Sequence, residues 1–488
     1  MTSCYTGPVG TQGVGACTPG VAACNDQGTA LGSCVGDVLP ALENCAATAD
    51  EDCDGSSPVC TGSHNWSKRF GDANSQIGHR VAADASGNVF LAGYFTGTIN
   101  LGGAPLTSAG GDDVFLAKFD AAGNHVWSKR FGNASAQIPF GLATDGSGNI
   151  VIIGQFEGSM DFGGGALTSA GALDVFLAKL DPMGNHVWSK RFGDASTQYG
   201  SDVAVDAAGN VFITGGLAGT VSFGGPPISA TNLQNLFLAK LDSAGNHLWS
   251  KALGGPAELP DGTLAADPYG NVILTAWIIG ALDLGGGPLP VGGSWDVLAA
   301  KFDATGNHVW SKQFGGTNDQ GARAVAVDAT GNVFLAGDFL NAIDFGGGVL
   351  NNPSGYDVYV AKLDPAGNHL WSKQFGGSPT NANGYGMTVD VAGNVILTGG
   401  FSGTVSFGGS PLTGAGGTDV FVAKLDAAGD HVWSYRFGDA VDQRAYDATT
   451  DGSGNILLAG IMQGTVNFGG SALTSAGGYD AFLVKLAP

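Results

Sequence analysis

Seven tryptophans divide most of the chain into near-equal lengths. Trp66, Trp127, Trp188, Trp249, Trp310, Trp371 and Trp433 are separated by 61 residues five times and by 62 once. Each stands in a version of Gly-Asn-His-Val-Trp-Ser-Lys-Arg-Phe-Gly. A fixed period longer than one hairpin means a single supersecondary unit stacked many times, because one unit cannot bury its own apolar face. The period therefore sets the architecture, while leaving open what the protein binds.

Composition narrows the unit to strands. Of 488 residues 84 are glycine and only 13% are charged, which suits tight turns and close-packed strands better than long solvated helices. No stretch reaches the roughly 18 unbroken apolar residues of a membrane helix. A net charge of −22 argues against nucleic acid as a partner, since phosphates call for Lys and Arg.

All seven cysteines (Cys4, Cys17, Cys24, Cys34, Cys45, Cys53 and Cys60) fall in the first 60 residues. A short Cys-dense segment without a hydrophobic core reads as a disulfide-stapled module from an oxidising compartment, with one thiol left over. The opening Met-Thr-Ser-Cys-Tyr has neither the basic nor the apolar region of a signal peptide. The expectation is a fragment of a longer exported protein, extracellular or at the cell surface. Residues 1–62 form the small module and 63–488 the repeat.

One unit reads as four strands: the first near Arg80–Ala83, then Val89–Phe95, Asp113–Phe119 and His125–Phe131. Both faces of each strand carry apolar residues, as expected of a sheet sandwiched between two others. Asp-x-x-Gly-Asn turns join the first strand to the second and the third to the fourth. Asp caps backbone N–H groups there and Gly supplies a positive φ.

The last unit stops after a third strand at Phe482-Leu-Val-Lys-Leu-Ala-Pro488, and an unmatched fourth-strand motif, His64–Gly71, precedes the first unit. The expectation is that residues 64–71 complete the last sheet and remove its open edge. The fold class is then all-β: a seven-bladed propeller of four-stranded blades, monomeric and closed by its own beginning.

The unit Val-Ala-x-Asp-x-x-Gly-Asn-Val-Phe-x-Ala-Gly, followed by Asp-Val-Phe-Leu-Ala-Lys-Leu-Asp-x-x-Gly-Asn-His-Val-Trp-Ser-Lys, resembles the bacterial SBBP propeller repeat. That resemblance spans residues 64–488 and implies an exported, cell-surface bacterial protein with seven blades. It implies no enzymatic activity. In the first module, Pro40-Ala-Leu-Glu43-Asn-Cys45 and Asp50-Glu-Asp52-Cys53-Asp54-Gly55 are similar to a short metal-binding motif of secreted, often myxobacterial, proteins.

Asp50, Asp52 and Asp54 have the alternation that opens a calcium loop, with Gly55 allowing the sharp turn and Glu43 available from outside. Thr61 stands where an EF-hand would carry a bidentate Glu, so calcium binding here is not of EF-hand type. The repeated His and Trp columns read as packing, one copy per blade and too far apart to share an ion. The Lys that ends each third strand (Lys118 and its equivalents) and the Asp that begins it (Asp113 and its equivalents, Asn235 in the third unit) read as repeated polar contacts between strands or blades.

A binding site is sought where the copies disagree. The connections opposite the Asp turns, around the channel mouth, carry His79, Arg80, Asp202, Asp261, Asp319, Arg323, Tyr385, Arg444 and Tyr446. These are ligand-face candidates, without the spacing of a nucleophile and base. The reading is a non-catalytic interaction or adhesion module with a protein or glycan ligand. The alternative is a lectin-like carbohydrate binder. A second alternative is a quinone enzyme, because Ala117-Lys-Phe-Asp120-Ala-Ala-Gly123-Asn-His-Val-Trp127 is also similar to the Trp-docking motif of quinoprotein dehydrogenases. That motif locks blades in non-enzymes too, and the repeat region has no cysteine after Cys60 and seven repeats rather than the eight usual in such enzymes.

Overall fold

The computed structural model describes residues 62–488 other than 232–234, 255–260, 291 and 378–379, together with 2–4, 6, 12, 18–22 and 34. Glu43, Asp50, Asp52 and Asp54 lie outside the described residues, as do all the cysteines but Cys4 and Cys34. The chain separates into two compact units, Met1–Ser63 with Ala487–Pro488, and His64–Leu486. In the first, Thr2–Cys4 pairs antiparallel with Gly20–Ala22.

The second is an all-β propeller, with no helix among the described residues. Its first full sheet runs Gln76–Ala83, Val89–Phe95, Asp113–Phe119, His125–Phe131, all antiparallel neighbours in that order. Three of these four strands match the sequence reading residue for residue. The first begins at Gln76, not near Arg80. Its opening carries no apolar signal because it is anchored by a buried amide: Gln76 accepts the Asp72 N–H and donates to Asp72 Oδ1 and the Thr96 carbonyl. A small hairpin, Thr98–Ile99 with Leu106–Thr107, occupies the glycine-rich stretch that the sequence reading left as a connection.

The third strands are buried throughout, as Asp113–Phe119 illustrates. Every residue of such a strand faces a neighbouring sheet on one side or the other, which is why its apolar run is nearly continuous. Phenylalanines fill the seams: Phe192, Phe223 and Phe237 stack at 4.8 Å from ring to ring, and Phe375, Phe407 and Phe421 repeat the arrangement at 5.2 and 4.9 Å.

The segment His64–Phe70 pairs antiparallel with Asp480–Leu486, with Ser67 opposite Val484 and Phe70 opposite Ala481. The sheet order there is His64–Phe70, Asp480–Leu486, Ile456–Met462, Gln443–Thr450. First strands of successive units pack on one another, and Gln443–Thr450 of the last packs on Gln76–Ala83 of the first.

Repeated polar residues lock this array. The turn Asp84 Oδ1 accepts the Ser86 and Asn88 N–H groups while Oδ2 accepts Asn88 Nδ2, with Gly87 at φ 77°. The third-strand Lys reaches the same carboxylate: Lys179–Asp145 at 2.8 Å, Lys301–Asp267 at 2.9 Å and Lys485–Asp451 at 2.8 Å. It also donates to a carbonyl of the following unit, as Lys118 does to Pro182. These contacts do link blades, and they are buried. The Trp column docks on the same carbonyls, Trp127 Nε1 to Pro182 and Trp188 Nε1 to Ser243. Trp433 is the exception, its Nε1 buried without a hydrogen-bond partner. Each column His bonds the Ser three residues on, as His125 does to Ser128.

The Asp that begins the third strand pairs instead with the fourth. Asp113 Oδ2 accepts Arg130 Nη1 at 2.8 Å and the Ala109 N–H, while Oδ1 is buried without a hydrogen-bond partner. Gly132 lies against that oxygen: a Cβ there would collide with Asp113 Oδ1 and Gln137 Oε1. Where Asn235 replaces the Asp in the third unit, Ala252 replaces the Arg.

Candidate ligand site on the axial strands

The pairing of first and second strands slips at one recurrent place. The shift falls between Gly78 and Arg80, Pro139 and Gly141, Gly200 and Asp202, Ala322 and Ala324, Gly384 and Gly386, and Ala445 and Asp447. The residues left unpaired are His79, Phe140, Ser201, Arg323, Tyr385 and Tyr446. A β-bulge bends its strand and re-aims a side chain. Gly262–Ala266, in the fourth unit, pairs without a slip.

This relocates most of the sequence candidates. His79, Arg80, Asp202, Arg323, Tyr385, Arg444 and Tyr446 lie within first strands, not in the connecting loops where they were sought. In every one of these strands but that of Tyr385, the buried amide that opens it (Gln76, Gln198, Gln320 or Gln443) is the reason. Asp261 and Asp319 do lie just outside, each immediately before a first strand.

The bulged side chains meet across units. His79 contacts Phe140 at 5.5 Å and Tyr446 at 5.8 Å between ring centroids, and Tyr446 meets Tyr385 edge-on at 5.7 Å. The Arg323 guanidinium lies 5.9 Å from the Tyr385 ring and 4.4 Å over Trp277, which in turn sits 6.4 Å from Trp295. Arg444 donates to Asp442 at 3.0 Å and Arg323 Nε to Asp338 Oδ1 at 2.7 Å. Asp319 Oδ1 accepts the Ser294 hydroxyl.

Several of these residues also clip neighbouring strands. His79 Nδ1 donates to the Pro139 carbonyl at 2.9 Å, and Ser201 Oγ to the Gly262 carbonyl at 2.9 Å. Asp202 Oδ2 accepts the Leu264 N–H and Asp447 Oδ2 the Val81 N–H, at 2.8 and 2.9 Å. Trp277 Nε1 donates to the Ala322 carbonyl at 2.6 Å. Asp447, Phe140, Trp277 and Trp295 were not singled out from sequence; the two tryptophans stand outside the Trp period, a signal that was available.

Burial governs the electrostatics. It pushes the Asp202 carboxyl up to about 7, against the opposing pull of Arg80 and two backbone N–H groups. Asp447 is raised for the same reason, with Arg80 again opposing. His79 is held well below the usual imidazole value by burial and by Arg80, so it stands neutral with its proton on Nδ1 toward Pro139. The arrangement offers half-buried aromatic faces, guanidinium donors and carboxylate acceptors side by side.

A hollow of about 220 Å³ is lined by Val205–Ala207, Ala266–Pro268 and Val327–Ala329, at the turns. Its carboxylates are spent: Asp206, Asp267 and Asp328 each hold a Lys, an Asn amide and turn N–H groups.

The β-propeller repeat family SBBP matches residues 65–98, 187–215 and 370–402. An uncharacterized WD repeat-containing protein of Acanthamoeba polyphaga mimivirus is 21% identical over 86% of this chain and 38% of its own length. Regulatory protein FlaEY of Caulobacter vibrioides is 30% identical over 38% of this chain and 20% of its own length. The chain thus spans well under half of both curated relatives. Among solved structures, the WD40 β-propeller domain of Doa1 covers 87% of this chain at 9% identity, with 96% of that domain covered and a TM-score of 0.45. With SBBP matches falling on three of its repeats and four-stranded antiparallel sheets packed first strand to first strand, the chain is a β-propeller repeat protein.

Proposed function

We propose that this chain is a non-catalytic interaction module of an exported protein, built as seven blades closed into a ring and presenting the axial arc to a ligand. The reading rests above all on one observation: side chains that differ between units gather at and beside the bulges of the first strands, on a scaffold otherwise locked by repeated contacts. A rigid frame loses little ordering entropy when its side chains engage a ligand. Closure is supported by the pairing of His64–Phe70 with Asp480–Leu486. Removing residues 1–71 leaves that edge open, and the expected result is aggregation or a lower melting temperature. A truncated chain that melts with the full one would defeat the closed ring.

For the interaction itself, the purified chain is incubated with whole bacterial cells and with a glycan array, and amide exchange is compared with and without the bound target. Protection concentrated on the first strands around 79–80, 323 and 444–447 supports the reading. Protection on the outer Trp edges instead, or none, overturns it. The cysteine-rich segment is proposed as a stapled module holding calcium through Glu43, Asp50, Asp52 and Asp54. Calorimetric titration of the full chain with calcium, before and after Asp52→Asn, tests that assignment; a flat titration removes it.

The arc also favours the carbohydrate reading over a redox one. Rings and paired polar groups converge there.

A further inference from the structure

The repeat accounts for nearly every cation in the chain, and the exceptions converge. Of 20 Lys and Arg residues, all but Arg80, Arg323 and Arg444 stand at repeat positions. Of eight His only His79 stands outside the repeat, and of nine Trp only Trp277 and Trp295. These six residues, drawn from the first, fourth, fifth and seventh units, all belong to the arc just described or border it directly.

We propose that this arc binds a neutral oligosaccharide, the rings stacking on sugar C–H faces and the Arg–Asp pairs exchanging hydrogen bonds with hydroxyls. The inference rests on the interaction reading and names its ligand. Two features select the class. Tyr446 and Tyr385 are half-buried rings held by neighbours, offering apolar faces with polar tips. Arg323 and Arg444 each spend one nitrogen on a carboxylate, at 2.7 and 3.0 Å, which cancels their charge and leaves further N–H donors beside carboxylate acceptors. A ligand rich in hydroxyls uses both kinds of group at once.

Other classes fit less well. An anion meets guanidiniums already matched by Asp338 and Asp442, with Asp202 and Asp447 near Arg80. A cation finds the Trp277 face already covered by Arg323 at 4.4 Å. Nucleic acid is opposed by a net charge of −22. Because the ring contacts run through the first, seventh, sixth, fifth and fourth units, the ligand is an oligosaccharide and not a single sugar.

The test is calorimetric and saturation-transfer titration of the full chain with neutral gluco-, xylo-, manno- and chito-oligosaccharides, and with oligouronates for contrast. Binding of at least one neutral series is expected at millimolar concentration or below, on the order of 1 mM. Tyr446→Ala and Tyr385→Ala are each expected to weaken it by ~10-fold or more, Tyr446→Phe by less, and Trp188→Phe, in the repeat column, not at all. Thermal unfolding of each variant shows that the fold is intact. No binding of any neutral series at about 10 mM overturns the proposal, as does binding that both Tyr→Ala variants leave unchanged, or binding confined to oligouronates. If cells still protect the axial strands from exchange while no saccharide binds, the saccharide assignment fails alone; if neither occurs, the interaction reading fails with it.

Discussion

Two sets of aspartates, one at each hairpin turn and one on the axis, show what the repeat settles and what it leaves free. The turn carboxylates are near-identical from unit to unit. Burial alone would raise Asp267, but the Lys301 ammonium, the Asn271 amide and turn N–H groups outweigh it and hold the carboxyl below its ordinary value. Asp145, Asp206, Asp328, Asp390 and Asp451 behave alike. On the axis the same residue type is pushed the other way, Asp202 to about 7. The difference is one of balance: at Asp202 desolvation outweighs the pull of Arg80 and two backbone N–H groups, whereas at the turn a buried Lys, an Asn amide and backbone N–H groups outweigh it. The first set stabilises the frame; the second is tolerated by it.

The comparison can be broken most forcefully at the turns. Asp267→Ala leaves Lys301, only 5% exposed, without its carboxylate. A loss of about 3–5 kcal/mol is expected in urea unfolding, as for any half-removed buried pair. A loss below about 1 kcal/mol would mean that the turns are no more than surface decoration. Next comes the close approach at Gly132. Its replacement by Ala sets a methyl against Asp113 and Gln137, and a cost of about 1–3 kcal/mol is expected by calorimetric melting.

The two sets also predict opposite responses to pH. For Asp145, Asp206, Asp267, Asp328, Asp390 and Asp451 the folded pKa is depressed, so their stabilisation is present above the unfolded value near 3.8 and is lost as pH falls below it. For Asp202 the folded value is raised from 3.8 to about 7, so the folded chain holds the proton longer. Stability then declines as pH rises between those values and is flat beyond them. Asp202→Asn keeps an acceptor for the Leu264 N–H and is expected to remove up to about one proton's worth of that slope, read from unfolding at pH 4 to 8. An unchanged slope would show that Asp202 titrates normally. The smallest effect is expected at Arg80, which among the described residues donates to its neighbour's carbonyl, His79 O, and meets Asp202 and Asp447 through its charge alone. Arg80→Ala is expected to change stability by no more than about 0.5 kcal/mol. A larger loss would place Arg80 with the frame, not with the arc.

Much of the frame was legible because its chemistry is local. Asp-x-x-Gly-Asn specifies a turn within five residues, and the apolar run Asp113–Phe119 specifies a doubly covered strand. The pairing of His64–Phe70 with the last strand was legible as an unmatched motif at one end and a missing one at the other. What failed was register where polar side chains do the anchoring. Gln76 opens a strand yet reads as loop, so the residues after it read as a connection. The two-residue hairpin at Thr98–Ile99 is too short for any period to reveal.

The sequence by itself determined the unit, its turns and its repetition, because period and turn chemistry act over a few neighbouring residues. Only the tertiary structure decided that His79, Tyr446, Tyr385, Arg323 and Trp277 share one arc. They come from units up to 367 positions apart, at His79 and Tyr446. Their meeting depends on bulges at His79, Arg323, Tyr385 and Tyr446 and on the packing of each first strand against the next, neither of which leaves a local trace.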